Sequence, residues 1–399
     1  LIKILGLLSG YVAMTLLLFG YLWLTNKDIF KYVVCKLDEK LKQNIKVTRA
    51  NAMQKLDIAK KKQVRVESFL NLKVAPERVE KYKGFYDKEV ILQVFDQNHL
   101  NLVIIQFVIF LVVLCMGIFK DYTIFQLPAA ASAVLFLTIF IMFAGAFSYW
   151  FGNWSTTAGI GLLIVLNLTI QQDFFHKTYK AYGLDYDRAK TPYNITTIKE
   201  GVKSAYKEKD KQNTLAILEN WRNKFDSTSK PKMVFVCVSG GGQRAALLAL
   251  NSLQKIDEAT SGEFMKHTML ITGASGGLIG ASYFREMVWR YKQGLIEDAY
   301  SDVYIERMGS DNLNANIFSL LMNDVFANFQ EFTYQGISYP KDSGYSFENR
   351  LNNNTNRFLD KTLSDYQQPE YKSDIPMMIL APTIINDGRK LYIASQMVS

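Results

Sequence analysis

Cysteine and histidine are scarce in this sequence, with three residues of each among 399. Cys35, Cys115 and Cys237 have neither the spacing of a disulfide framework nor that of a zinc site. With so few histidines and no cysteine pair, no metal site is expected, and nothing in the pattern requires a cofactor. Free cysteines are compatible with a reducing compartment.

Charged residues are missing from long stretches of the N-terminal half. Residues 1–25 contain only Lys3, whereas residues 97–119 and the 51 residues from 122 to 172 contain no Lys, Arg, Asp or Glu. A membrane-spanning helix needs about 20 apolar residues. The sequence therefore predicts an N-terminal α-helical transmembrane domain over residues 1–175, with about four spans and a polar break at 148–157. The core of a soluble protein rarely omits charge so often, and a cleaved signal peptide would be shorter.

Positive charge accumulates beside these apolar stretches. Residues 26–96 carry 17 Lys and Arg against 10 Asp and Glu, whereas residues 233–399 carry 14 against 18. This distribution favours a lipid bilayer with anionic headgroups as the partner. Nucleic acid is not expected, because no basic motif interleaved with aromatic residues is present.

The basic regions have different patterns. Residues 26–96 predict a long helical loop, in which the apolar stripe over 32–69 fits a coiled-coil arm, a helix on the headgroups, or a solvated helix packed on its own chain. Residues 176–230 predict a basic juxtamembrane linker. In the first span, Gly6 and Gly10 have the spacing that lets transmembrane helices approach closely, which allows a homo-oligomer.

A glycine loop follows a predicted strand at the start of the C-terminal part. The apolar run 233–238 leads into Ser239-Gly-Gly-Gly-Gln-Arg244 and then into a helical pattern. Neither a phosphate-binding Gly-Lys-Ser/Thr nor a dinucleotide-binding Gly-x-Gly-x-x-Gly is present. The N–H groups of Gly240, Gly241 and Gly242 are therefore candidates for an oxyanion hole. A glycine turn that joins the strand to the helix is the plain alternative.

A second strand, at 268–272, leads into Gly273-Ala-Ser-Gly-Gly277 and a helix. Gly-x-Ser-x-Gly between a strand and a helix is the setting of a nucleophile elbow, which makes Ser275 the candidate nucleophile. An α/β-hydrolase places its histidine after the serine, but all three histidines of this chain precede Ser275. A Ser–Asp dyad is the economical alternative, provided that the site raises the basicity of the carboxylate.

The two glycine motifs together resemble the patatin-like phospholipase family. The segment Asp342-Ser-Gly-Tyr-Ser-Phe-Glu348 is similar to a further family motif, with Ser343 in place of the usual arginine. The resemblance covers residues 231–399. It implies a three-layer α/β/α patatin-like domain, a Ser–Asp dyad, and metal-free hydrolysis of acyl esters in glycerolipids.

The catalytic acid is open. The family's catalytic aspartate precedes a glycine, and in this sequence Asp387 is the only aspartate that does so. The residues on either side of Asp387, however, resemble the turn between the two central strands of the family. The alternative is an Asp-Gly beyond Ser399, because a start at Leu1 and an end within a strand pattern predict a fragment cut at both ends.

The roles of Arg244 and of the insert are also open. Arg244 could bind a lipid headgroup, support the glycine loop, or be an ordinary surface residue. The Asn-rich insert 294–373 fits either a lid or acyl groove over Ser275 or core packing.

The expected function is that of a membrane-anchored serine acyl-ester hydrolase of glycerophospholipids or lysophospholipids. The expected location is a bacterial inner membrane, with the catalytic domain on the cytoplasmic side. A lipid acyltransferase and an inactive membrane scaffold with a degenerate patatin-like domain are the alternatives.

Overall fold

The computed structural model describes residues 2–26, 68–70, 76–78, 88–122, 125–170, 192, 194–202, 205–326, 330–384 and 388–396. The chain forms two units, one made of Leu1–Leu111 with Leu137–Lys177 and the other of Val112–Phe136 with Thr178–Ser399. The second unit contains both glycine motifs, and it is called the catalytic unit below because it carries the candidate nucleophile Ser275.

The N-terminal part of the chain is almost entirely helical where it is described. A short antiparallel strand pair, β1 and β2, lies between the first two helices. The elements are α1 (Ile2–Asn26), β1 (Ser68–Leu70), β2 (Pro76–Arg78), α2 (Lys88–Ile118), α3 (Ala129–Phe151), a 3-10 turn (Gly152–Trp154) and α4 (Ser155–Ile170).

The chain reverses between α3 and α4. Gly152 has φ +50, a left-handed conformation that glycine adopts without steric cost. The ring of Phe147 lies 3.9 Å from the position that a Cβ on Gly159 would occupy. A straight helix would separate these residues by about 18 Å, so α3 and α4 fold back on each other, and the reversal falls within the polar break at 148–157.

The apolar side chains of these helices are mostly uncovered. Leu17, Phe140 and Leu163 are 69%, 64% and 67% exposed. Among the described residues, one helical stretch, Ala129–Thr169, is long and apolar enough to cross a membrane, and Val103–Ile118 is a shorter apolar helix. One such stretch does not show four spans, so the four-span topology stays a prediction.

The loop assigned to residues 26–96 differs from its prediction at both described ends. Residues 27–67 lie outside the described residues, but Ser68 and Phe69 belong to β1, so the helix predicted over 32–69 does not reach its expected end. Helix α2 begins at Lys88, well before the uncharged run. Lys and Glu are good helix formers, and the loss of charge therefore marks where the apolar surface begins rather than where the helix begins.

The catalytic unit contains a small mixed sheet with helices on both faces. Its elements are α5 (Ile195–Val202), α6 (Ala205–Arg222), β3 (Val234–Val238), α7 (Gly242–Ala259), α8 (Glu263–His267), β4 (Thr268–Gly273), α9 (Ser275–Lys292), α10 (Val303–Gly309), α11 (Asn314–Ser319), a π-helical turn (Leu320–Asp324), β5 (Glu331–Tyr334), β6 (Ile337–Pro340), α12 (Ser343–Asn354), a 3-10 turn (Leu363–Tyr366), α13 (Gln367–Tyr371), β7 (Met377–Leu380) and β8 (Ile393–Ala394).

The main sheet has the order β3-β4-β7-β8, and its first three strands are parallel. One face carries Val236 and Ile271, which are buried against α7 and α9. The carboxyl ends of β3 and β4 meet at one edge, because Val238 pairs with Gly273. The glycine loop and the Ser275 turn therefore leave the sheet side by side.

The other face of the sheet is packed by α6. Ile217 and Trp221 of this helix are buried together with Met269 of β4. Ser373 donates its hydroxyl to the carbonyl of Ile217 at 3.0 Å, which also ties α6 to the segment before β7. Residues 205–222 thus form part of the catalytic unit, although the sequence assigned them to a linker, because their apolar stripe is too sparse among lysines to stand out.

The turn between α2 and α3 belongs to the catalytic unit and docks on its insert. Lys120 is 2% exposed and donates to the hydroxyl of Ser319 at 3.1 Å and to the carbonyl of Lys341. Lys341 in turn contacts Asp121 at 2.6 Å. Burial lowers the pKa of Lys120 to about 8, even though Asp324, Asp121 and Asp342 favour its charged form.

Candidate active site

Ser275 occupies a strained turn between β4 and α9. It follows Gly273, the last residue of β4, by two positions and is the first residue of α9. Its φ is +51, a left-handed conformation that few residues other than glycine adopt. Such strain costs about 1–3 kcal/mol and persists only where the surrounding structure enforces it. The side chain is exposed at the edge of the sheet, which is the geometry of a nucleophile elbow.

The glycines of the Ser275 turn are required by a close approach of two backbones. A Cβ on Gly276 would lie less than 3.0 Å from the carbonyl oxygen of Gly242, and one on Gly277 would lie equally close to that of Ser239. A Cβ on Gly273 would likewise lie less than 3.0 Å from the carbonyl oxygen of Val238. The turn after β4 is therefore pressed directly against the loop after β3, with no room for side chains between them.

The glycine loop places its backbone beside Ser275. A Cβ on Gly240 would be 3.4 Å from the Cβ of Ser275. Gly241 and Gly242 have φ +139 and +64, and Gly241 caps α7 without a side-chain hydrogen bond. Within the described part of the chain, no hydrogen bond occupies the N–H of Gly240 or Gly241. Because the start of α7 adds its positive dipole end, this loop is suited to hold a developing oxyanion.

Among the residues that the structure describes, none makes a hydrogen bond with the Ser275 hydroxyl, so no base is assigned to it by contact. His267 lies at the opposite end of β4, about 20 Å of strand away, and its Nδ1 is 2.8 Å from the carbonyl oxygen of Lys232. It cannot serve as the histidine of a triad.

Asp387 lies outside the described residues. On either side of it, the N–H of Ile384 donates to the carbonyl of Arg389, and that of Gly388 donates to the carbonyl of Ile384, both at 2.8 Å. These bonds and the bridge between Thr383 and Lys390 pair the described residues on its two sides in antiparallel fashion. Since β4 and β7 are parallel, the residues that follow β7 leave the sheet at the end that carries Ser275.

Arg244 lies on the first turn of α7 with its side chain exposed. Its neighbour Gln243, for which no role is predicted from the sequence, anchors the insert. The Gln243 amide donates to the carbonyls of Met308 and Ser310 at 3.1 and 2.6 Å. Helix α10 is held against the start of α7 by these bonds. No signal in the sequence distinguishes this glutamine from a surface residue.

Much of the insert 294–373 is core. Tyr304 and Met308 of α10 are buried in the main apolar cluster, where Tyr304 and Phe358 both contact the ring of Tyr283. This agrees with core packing for α10 and for the segment after α12. Residues 311–342 are the part of the insert that contacts the turn between α2 and α3.

A buried ion pair supports the helix that begins at Ser275. Arg285 of α9 and Glu370 of α13 are 3% and 1% exposed and contact each other directly. Arg285 also donates to the carbonyl of Pro376 at 2.9 Å, and Glu370 accepts a bond from Ser395 beyond β8. Burial raises the pKa of Glu370, while Arg285 acts in the opposite direction. The pair ties α9 to the segments before β7 and after β8.

The described residues therefore bring Ser275 together with the glycine loop, and leave the acid unassigned. No group of three or more His, Cys, Asp or Glu that could hold a metal ion occurs in the part of the chain that the structure describes. No family model, curated protein or solved structure matches this chain.

Proposed function

We propose that the chain is a membrane-anchored serine hydrolase that cleaves acyl esters of glycerophospholipids or lysophospholipids. The observation that carries this proposal is the left-handed Ser275 at the sheet edge, with the Gly240 backbone beside it. A serine in a strained strand-to-helix turn lowers the stability of the fold. This loss is expected at a site where the turn must hold the hydroxyl out toward a substrate.

The proposed reaction passes through an acyl-enzyme. The Ser275 oxygen attacks the ester carbonyl carbon while its proton passes to a carboxylate base, and the amides of the glycine loop hold the oxyanion. Collapse of the tetrahedral intermediate releases the alcohol, which takes up that proton. A water molecule then cleaves the acyl-enzyme, returning the fatty acid and the free serine. The base is an aspartate by resemblance to the patatin-like phospholipases, and Asp387 is its candidate.

The apolar helices support the membrane part of the proposal. Only 6% of the most apolar window of Ala129–Thr169 is buried, so this stretch is not a core helix of the described chain. A bilayer would cover the exposed side chains. Anchoring the catalytic unit beside a bilayer also supplies lipid at a high effective concentration.

The test is fatty-acid release from vesicles of phospholipid or lysophospholipid that contain the full-length protein. We expect Ser275→Ala to lower the rate by at least about a thousandfold, as removal of a nucleophile does elsewhere. Ser282→Ala is the matched control, because Ser282 lies on the same helix and its hydroxyl contacts the carbonyl of Leu278 and the sulfur of Met378, at 2.7 and 3.2 Å. Release that persists in Ser275→Ala, or a folded wild type that releases no fatty acid, would contradict the proposal.

A further inference from the structure

One part of the insert carries almost no charge. Residues 312–330 contain a single charged residue, Asp324. Within this stretch, residues 314–326 comprise α11, the π-helical turn and the two residues after it, and they are called the wedge segment below. Leu320 and Val325 of the wedge segment are 45% and 53% exposed.

The polar side chains of the wedge segment are buried or half-buried. Ser319 is fully buried and accepts the bond from Lys120, and Asn323 is 3% exposed. Asp324 accepts a hydrogen bond from the N–H of Ser343 at 2.9 Å. Phe318 and Met322 are buried beside them, and the exposed side chains of the wedge segment are the apolar Leu320 and Val325. Satisfied polar groups next to exposed apolar groups differ from an ordinary water-facing surface. This arrangement is the one that a lipid environment favours, because acyl chains offer no hydrogen bonds.

The wedge segment lies along the first two turns of α3. The N–H of Ala129, the first residue of α3, donates to the side chain of Asn314 at 2.8 Å. Farther along the same helix, the rings of Phe136 and Phe326 lie 6.1 Å apart. Seven residues of helix separate these two contacts, a distance of about 10 Å.

The wedge segment also touches the last turn of α2. A Cβ on Gly117 would lie 2.9 Å from the carbonyl oxygen of Met322, so the two backbones meet directly. Away from this contact, α2 and α3 remain open, since Ile118 and Val134 are 51% and 64% exposed. The exposed side chains of the wedge segment thus continue the apolar surface of the two helices.

From this placement we propose that the wedge segment inserts into the acyl-chain layer of the lipid bilayer. The inference rests on the proposed membrane placement of α3. If α3 enters the hydrocarbon at Ala129, Phe326 lies about 10 Å inside a layer about 30 Å thick. Because Gln243 holds the chain just before the wedge segment, the insertion also brings the glycine loop close to the leaflet. Lipid then reaches Ser275 from the leaflet itself.

The test measures the depth of single cysteines in the full-length protein, reconstituted in phosphatidylcholine vesicles. Leu320→Cys and Val325→Cys are made with the three native cysteines replaced by serine, and each is labelled with a thiol-reactive environment-sensitive fluorophore. Phosphatidylcholine with a nitroxide on its acyl chain serves as the quencher. A separate variant keeps Cys115, which is exposed on α2, as its single cysteine and reports the membrane placement of the helices. Ile256→Cys on α7, 44% exposed, is the control outside the wedge segment.

We expect the labels at positions 320 and 325 to lose fluorescence to nitroxide lipid as strongly as the label at Cys115, while the label at position 256 keeps its fluorescence. Quenching at Cys115 alone would contradict the insertion of the wedge segment but would agree with the membrane anchor. A blue-shifted but unquenched signal at 320 and 325 would overturn the insertion in favour of a protein partner, such as a second copy. No quenching at any position would overturn the anchor as well.

Discussion

Gly277→Ala is expected to destabilise the catalytic unit by about 3 kcal/mol or more, at the upper end of the cost of overpacking. The added methyl group would overlap the carbonyl oxygen of Ser239, and a backbone atom cannot rotate away as a side-chain end can. The glycine loop and the Ser275 turn would have to separate. The measurement is the thermal unfolding of the full-length protein in detergent.

The matched control for this substitution is Gly309→Ala in α10. A Cβ there would lie 3.6 Å from the side chain of Leu247, which is an ordinary contact, and alanine is the better helix former. We expect its melting temperature to equal or exceed that of the wild type. If Gly277→Ala melts at the same temperature as Gly309→Ala, the two backbones are not in contact and the elbow geometry is wrong.

Loss of Arg285 or Glu370 is expected to have an effect of similar size. Removing one member of a buried ion pair typically costs about 3–5 kcal/mol, because the other charge is left without a partner. Arg285→Met and Glu370→Met should each destabilise the unit strongly. The double variant should cost less than the two single changes together, since it leaves no unpaired charge. Free energies of unfolding from denaturant titration of the four proteins measure this coupling.

An exposed pair on α7 provides the comparison. Lys255 and Glu258 lie 2.9 Å apart, but their side chains are 57% and 49% exposed. Lys255→Ala should leave the free energy of unfolding close to that of the wild type, because exposed pairs contribute little. If Arg285→Met costs no more than Lys255→Ala, the ion pair does not support the helix that carries Ser275.

The sequence predicted the elements around Ser275 because their signals are local. Two short β-branched runs, each followed by glycines and a helical pattern, are enough to indicate β3, β4 and the helices after them. The Gly-x-Ser-x-Gly spacing also indicated a sharp turn at Ser275, and the turn is present. Each signal lies within about ten residues, so no knowledge of the tertiary fold is needed.

The features that the sequence did not reveal depend on contacts between distant parts of the chain. Arg285 and Glu370 are 85 positions apart, and neither has a local signal of burial. Lys120 follows an apolar run and would ordinarily be placed in solvent, but it is buried by Ser319 and Lys341, about 200 positions away. Helix α6 is hidden for a related reason, because its packing partners on β4 and β7 are formed far from it in sequence.

Labelling of the full-length protein in detergent with a fluorophosphonate probe measures whether Ser275 is an activated serine. The probe reacts with a serine whose hydroxyl is activated, whatever the lipid substrate is. We expect the wild type and Ser282→Ala to be labelled and Ser275→Ala to remain unlabelled. A folded wild type that takes up no label, or a Ser275→Ala variant labelled as strongly as the wild type, would contradict an activated Ser275.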